Sequence, residues 1–102
     1  MAKLPFNLED NEKEIDNWAL WYHSPAKKAY MGKLYVTNKR AFFISDDKGI
    51  NVDISKEQIN SVEEKKSMMS KSAEVTMKDG TIHTFDRGML SAEKVVNAIN
   101  QR

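Results

Sequence analysis

The sequence predicts a mainly β domain with one C-terminal α-helix: a strongly bent antiparallel sheet, or partly open barrel, of about six to seven strands capped by that helix. Three observations predict it. Residues 32–45 hold two short β-type runs about a polar Thr37-Asn38-Lys39-Arg40 turn: Leu34 and Val36 alternate with Lys33 and Tyr35, and Phe42 and Ile44 alternate with Ala41 and Phe43. Further alternation follows at Ile50, Val52 and Ile54, and again on both sides of Asp79-Gly80. Last, Ala92, Val95, Val96 and Ile99 recur at helical spacing, which gives one apolar face for packing on a sheet.

Residues 1–13 read as an acidic N-terminal arm or short helix, with Asn7 a candidate cap before Leu8, and residues 14–102 as the domain. Trp18-Ala-Leu-Trp-Tyr-His23 fits a strand by its aromatic enrichment, with Trp18, Leu20 and Tyr22 on one face and Ala19, Trp21 and His23 on the other. Either face suits burial. Pro25, which fixes φ and lacks a donor, breaks this run within Ser24–Lys28. In the following hairpin Asn38 tolerates positive φ, so a tight reversal there costs little. Asp46-Asp47-Lys48-Gly49 is the next turn, residues 50–64 supply one or two strands, and residues 65–72 form a polar loop holding Met68 and Met69.

The final hairpin, Ala73 to Asp86, has two possible registers. A two-residue Asp79-Gly80 loop sets Met77 opposite Ile82 and turns His83 and Phe85 away from Val75. A three-residue Lys78-Asp79-Gly80 loop, with Gly80 as a bulge, groups Val75, His83 and Phe85. The second is favoured because it buries Phe85, worth roughly 1.5–3 kcal/mol on transfer. Ser91 is the expected cap of the terminal helix, with Leu90 and Val95 at the spacing of a hydrophobic staple.

Composition bounds the function. A chain of 102 residues with 40% apolar content allows one modest core. Its 16 basic and 15 acidic residues nearly cancel, so no global field draws it toward nucleic acid or membrane. Basic charge is local: residues 25–45 carry Lys27, Lys28, Lys33, Lys39 and Arg40 and no acid. The absence of cysteine removes disulfide, thiolate-ligand and cysteine-nucleophile chemistry. No apolar run approaches the ~18 residues of a membrane span, and Met1-Ala2-Lys3-Leu4-Pro5 lacks the apolar core of a secretory signal, so a cytoplasmic location is expected.

The pattern Gly-x-Leu-x-Val-Thr-Asn-x-Arg-x-x-Phe, carried by Gly32, Leu34, Val36, Thr37, Asn38, Arg40 and Phe43 with Lys39 and Phe42 between them, resembles the pleckstrin-homology (PH) superfold and, more narrowly, its GRAM and bacterial PH-like members. Ile59-Asn60-Ser61-Val62, Lys78-Asp79-Gly80 with His83 and Phe85, and the helix after Ser91 follow in the matching order, so the resemblance spans roughly residues 14–102. It implies a bent sheet plugged by the terminal helix, and a binding module without catalysis. Relatives in the superfold bind phosphoinositide head groups, phosphorylated or proline-rich peptides, or protein surfaces, and bacterial PH-like relatives form oligomers. Two departures bear on this. The lipid-binding pattern of a lysine followed by basic-x-Arg is absent, and so is the helix tryptophan of eukaryotic members, which favours the bacterial or GRAM-like branch.

The candidate sites follow. Lys27, Lys28 and Lys33 are the candidate contacts for an anionic lipid head group, set against the ordinary reading of a solvated rim. Lys39 and Arg40 belong to the opposite end of the shared strand in the resembling fold, and Arg40 is there expected to pair with an acid as a turn lock. Trp18, Trp21 and Tyr22 are candidate partner anchors, against the reading that at least two of them fill the core. Met68 and Met69 are candidate partner contacts or caps of the barrel end. His23 and His83 have no acid at metal-ligand spacing, so no catalytic, cofactor or metal site is assigned and no small-molecule substrate is expected. The four glycines are isolated and form no phosphate loop, and nucleic acid is an unfavoured partner. The leading expectation is an interaction module that binds a protein partner or self-associates, with peripheral binding to an anionic membrane surface as the alternative.

Overall fold

A computed structural model describes residues 6–101. The strands are β1 (Glu14–His23), β2 (Ala29–Thr37), β3 (Arg40–Ser45), β4 (Asn51–Ser55), β5 (Ile59–Lys66), β6 (Lys71–Met77) and β7 (Ile82–Asp86), and one helix, α1 (Glu93–Asn100), ends the chain. All pairings are antiparallel, in the order β4-β3-β2-β1-β7-β6-β5, so the sheet is not closed and β4 and β5 are its edges. β1 joins the two halves: it pairs with β2 along its length but with β7 only from Trp21 to His23. The helix packs on β2 from one half and on β5 and β6 from the other, so both halves bend around one core.

That core follows from period-two alternation. Leu20 and Tyr22 of β1, Leu34 and Val36 of β2, Val75 of β6 and Phe85 of β7 point inward and meet Val95 and Ile99 of α1. On β3 the inward set is Ala41, Phe43 and Ser45, because Leu34 pairs with Phe43 and Val36 with Ala41. Phe42 and Ile44 therefore face outward, and Phe42 packs against Phe6 with tilted rings whose centroids are 4.7 Å apart. Gly32 is forced by this packing: a Cβ there would lie 2.2 Å from the Ile44 carbonyl oxygen and 2.7 Å from Ser45 Cα.

The last hairpin takes the three-residue loop. Val75 pairs with His83 and Ala73 with Phe85, the Met77 N–H donates to the Thr81 carbonyl, and Gly80 sits at φ +92 in the bulge position. Phe85 is fully buried as that register requires.

Four local expectations are corrected. Asn38 does not take positive φ; its side chain instead binds the arm, accepting from the Lys13 N–H at 2.7 Å and donating to the Asn11 carbonyl at 2.9 Å. The described part of the arm, residues 6–13, contains a turn at Asp10-Asn11 and no helix, so Asn7 caps nothing. Residues 1–5 lie outside the described residues, as does the expectation about a secretory signal. The Leu90–Val95 staple is not made, since Leu90 is exposed while Val95 is fully buried. Ser91 Oγ does accept the Glu93 N–H at 3.2 Å, but the cap position itself is Ala92, whose N–H donates to the Glu64 carboxylate at 2.9 Å. At the other helix end the buried Lys56 ammonium donates to the Ala98 carbonyl at 2.9 Å and to that of Gln101, satisfying orphan acceptors of the last turn.

Candidate docking face on the outer sheet

Because Leu20 and Tyr22 fill the core, alternation sends Trp21 to the outer face of β1. Its cross-strand neighbour on β2 is Met31 and on β7 Asp86. Trp21 remains 43% exposed and Met31 49%. Beside them lies an open groove of about 260 Å³ lined by Ala19, Leu20, Trp21, Met31, Asp86, Arg87 and Gly88. Its border is held in place. Asp86 Oδ1 accepts the Gly88 N–H at 2.7 Å, and Oδ2 lies 3.4 Å from His23 Nε2. The Arg87 guanidinium sits over the Trp18 ring at 6.0 Å and donates to the Ser91 carbonyl. The outer face thus offers a protruding indole, an apolar hollow and the Asp86 carboxylate, while the Arg87 guanidinium is engaged on the Trp18 side of the sheet.

The remaining aromatic candidates are structural. Tyr22 is buried, its ring 5.2 Å from Phe43 and 5.4 Å from Phe85, and its hydroxyl is 2.6 Å from His83 Nδ1. Burial pushes the Tyr22 hydroxyl up and the His83 imidazole down from their ordinary pKa values. Trp18 is half-buried against the core. Trp21 alone of the three is exposed on the outer face.

Met68 and Met69 do not cap a barrel end. They occupy the tip of the β5–β6 turn, 95% and 79% exposed. The Lys71 N–H donates to the Gly88 carbonyl and the Arg87 N–H to the Lys71 carbonyl, which brings the Met89-Leu90 loop alongside that tip. Of eight large apolar side chains left exposed among the described residues, six (Trp21, Met31, Met68, Met69, Met89 and Leu90) therefore belong to elements that meet around Asp86–Gly88. Met31, Met89 and Leu90 were missed in the sequence. Met31 was findable, two residues from Lys33 on the outward set of β2; nothing local marked the other two.

The basic candidates are not gathered into one pocket. Lys27, at φ +64, and Lys28 lie in the β1–β2 turn, whereas Lys33 pairs with Ala19, four residues up the ladder from His23–Ala29, or about 13 Å. Its ammonium lies over the Tyr35 ring at 5.4 Å, pointed further from the turn. A groove of about 490 Å³ between the β1–β2 and β6–β7 turns is lined by Lys27 but by neither of the other two lysines. Lys39 and Arg40 sit at the far end, as expected. Arg40 is the turn lock: it binds Glu12 through two nitrogens, reaches Asp53 and Glu9, and lies over the Phe6 ring at 4.6 Å. Hydrogen bonding to Arg40 brings the Glu12 carboxyl down to about 2 despite its burial.

Among the described residues no group of three or more His, Asp or Glu side chains is placed to hold a metal ion, and no helix is long and apolar enough to cross a membrane. No protein-family model and no curated protein matches the sequence. The fold is similar to the crystal structure of the C-terminal domain of an unknown protein from Leishmania infantum, with a TM-score of 0.76 and 16% identity over 90% of this chain and 85% of that one. At that identity the likeness establishes a shared fold and leaves function to the site itself.

Proposed function

We propose that the chain is a non-catalytic interaction module of PH-like, GRAM-related type, working in the cytosol, whose docking face is the Trp21–Met31 groove and whose partner is a second copy of itself. The observation that carries this reading is the self-complementarity of that face. It holds a protruding indole beside an apolar hollow. A two-fold interface requires each copy to bring both the knob and the hole. Trp is also among the side chains that dominate interface energy, and Met adapts its shape to an irregular partner surface. A different protein seated on the same groove is the neighbouring reading, and the sheet face would serve it equally.

Size-exclusion chromatography of the wild-type chain and Trp21→Ala over a range of loading concentrations tests this. The wild type is expected to elute earlier as concentration rises, and Trp21→Ala to remain a folded monomer, since the indole contributes little to the core. Equal elution of both proteins at every concentration would remove the self-association reading; loss of fold in Trp21→Ala would recast the indole as structural.

A further inference from the structure

The β5–β6 hairpin is layered along its length. At its tip Met68 and Met69 stand in solvent where turns ordinarily carry Gly, Asn, Asp or Pro. The turn beneath them is fixed: the Ser67 N–H donates to the Ser70 carbonyl at 2.8 Å, the Ser70 N–H donates to Ser67 Oγ at 3.1 Å, and Ser67 Oγ donates to the Ser70 carbonyl at 3.1 Å. Behind the serines Lys66 pairs with Lys71, and Lys65 follows opposite Ser72. Only then come the acids, Glu64 opposite Ala73 and Glu63 opposite Glu74. At about 3.3 Å per residue the first lysines lie about 7 Å behind the methionines and the Glu63–Glu74 pair about 16 Å behind them. The Met89-Leu90 loop, tied to Lys71 through Gly88, adds a second apolar finger beside the tip.

We propose that this tip inserts into the interface of an anionic membrane, with Met68 and Met69 among the lipid head groups and upper acyl chains and Lys65, Lys66 and Lys71 at phosphate depth. Amphipathic elements bury their apolar face about 5–10 Å past the head-group boundary, which matches the separation of methionines and lysines. Charge complementarity selects the occupant. The lysines stand nearer the tip than the glutamates, and Lys71, across from Lys66, makes no ion pair among the described residues, so the end presented to the bilayer carries the basic groups although the whole chain is nearly neutral. Lys65 pairs with Glu63 at 3.2 Å, an exposed contact that a lipid phosphate replaces at little cost, and Lys66 lies 3.6 Å from the largely covered Glu64 with its own ammonium exposed. Two unbranched, polarizable side chains suit an irregular lipid surface. The tip lies at the opposite end of β7 from the β1–β2 turn that holds Lys27 and Lys28, so the two basic regions are separable by mutation.

Co-sedimentation of the full chain with phosphatidylcholine vesicles, with and without a quarter phosphatidylserine, tests the proposal. Binding is expected only to the anionic vesicles, falling as salt rises, and each of Lys66→Gln and Lys71→Gln is expected to lower the partition coefficient about fivefold. Met68→Ser with Met69→Ser is expected to reduce binding at least as much as either lysine change, while leaving the thermal melt and the concentration-dependent elution unchanged. Because the sequence has no cysteine, Met69→Cys carries a single environment-sensitive dye, whose emission is expected to shift to the blue on anionic vesicles. No binding at low salt, binding unaffected by the Met68/Met69 change, or binding abolished by Lys27→Gln with Lys28→Gln instead would each overturn it. So would absent vesicle binding together with an altered elution of the Met68/Met69 variant, which would reassign the tip to a protein interface.

Discussion

The Arg40 guanidinium grips the Glu12 carboxylate from two sides, Nε to Oε2 at 2.8 Å and a terminal nitrogen to Oε1 at 2.7 Å. Thr37 Oγ1 donates to Oε2 at 2.6 Å, so the β2–β3 turn and the N-terminal arm share one buried polar cluster. The described part of the arm is thereby tied to the sheet, although it precedes the first strand.

Breaking this cluster leaves one buried charge without its partner. Glu12→Gln is expected to lower stability by about 3 kcal/mol, read from a urea melt at neutral pH. The pH dependence has a fixed sign. The Glu12 carboxyl falls from 4.5 unfolded to about 2 folded, so its contribution is complete above 4.5 and is lost as pH drops from there through about 2. The gap between wild type and Glu12→Gln is expected to close over that window.

A second titration acts nearer neutrality. His83 is half-buried against Tyr22, and that burial holds its imidazole below the ordinary value of 6.5, with Asp79 opposing weakly. The folded chain thus resists a proton that the unfolded chain accepts, so stability is complete above 6.5 and declines as pH falls below it. A denaturation midpoint that rose on acidification from pH 7 toward 5.5 would contradict this. Tyr22→Phe is expected to lose about 1 kcal/mol at pH 7 by deleting the hydroxyl bond.

Gly32 gives the sharpest steric test. Its missing side chain lets β3 approach within a distance that no Cβ tolerates, and the atoms in the way are mostly backbone. Gly32→Ala is expected to destabilise by at least about 2 kcal/mol, since strand backbone cannot step aside as a side-chain end can. The thermal midpoint of this single variant measures it.

Much of the fold was legible because local signals agreed with one another. Gly80 fixed the bulged loop, the loop fixed the register, and the register buried Phe85 beside Val75. The helical stripe at Ala92, Val95 and Ile99 was equally plain. Legibility failed where both faces of a strand were apolar. Phe42 and Phe43 are adjacent and alike, and only the pairing of Leu34 with Phe43 decides which is inside. Trp18, Trp21 and Tyr22 posed the same ambiguity, resolved by Tyr22 filling the core while Trp21 faces out.

The candidate site was legible only in part, because it is assembled from distant segments. Trp21, Met68 and Met69 could be named from sequence, but that Trp21 faces Met31 and Asp86 on the outer sheet while the two methionines stand apart on the β5–β6 tip emerges only once the strands are paired. The expected anion site shows the reverse. Lys27, Lys28 and Lys33 are close along the chain, yet the β2 ladder and the Tyr35 ring carry Lys33 away from the other two. The Arg40 turn lock was expected through the resembling fold as a pairing with some acid, whereas its particular partner, Glu12, was not.

Sedimentation equilibrium of the wild-type chain over a broad concentration range tests the central claim most directly. The weight-average mass is expected to rise from the monomer value of 11.7 kDa toward twice that value as concentration increases. A mass that stays at the monomer value throughout would contradict self-association through the Trp21–Met31 face.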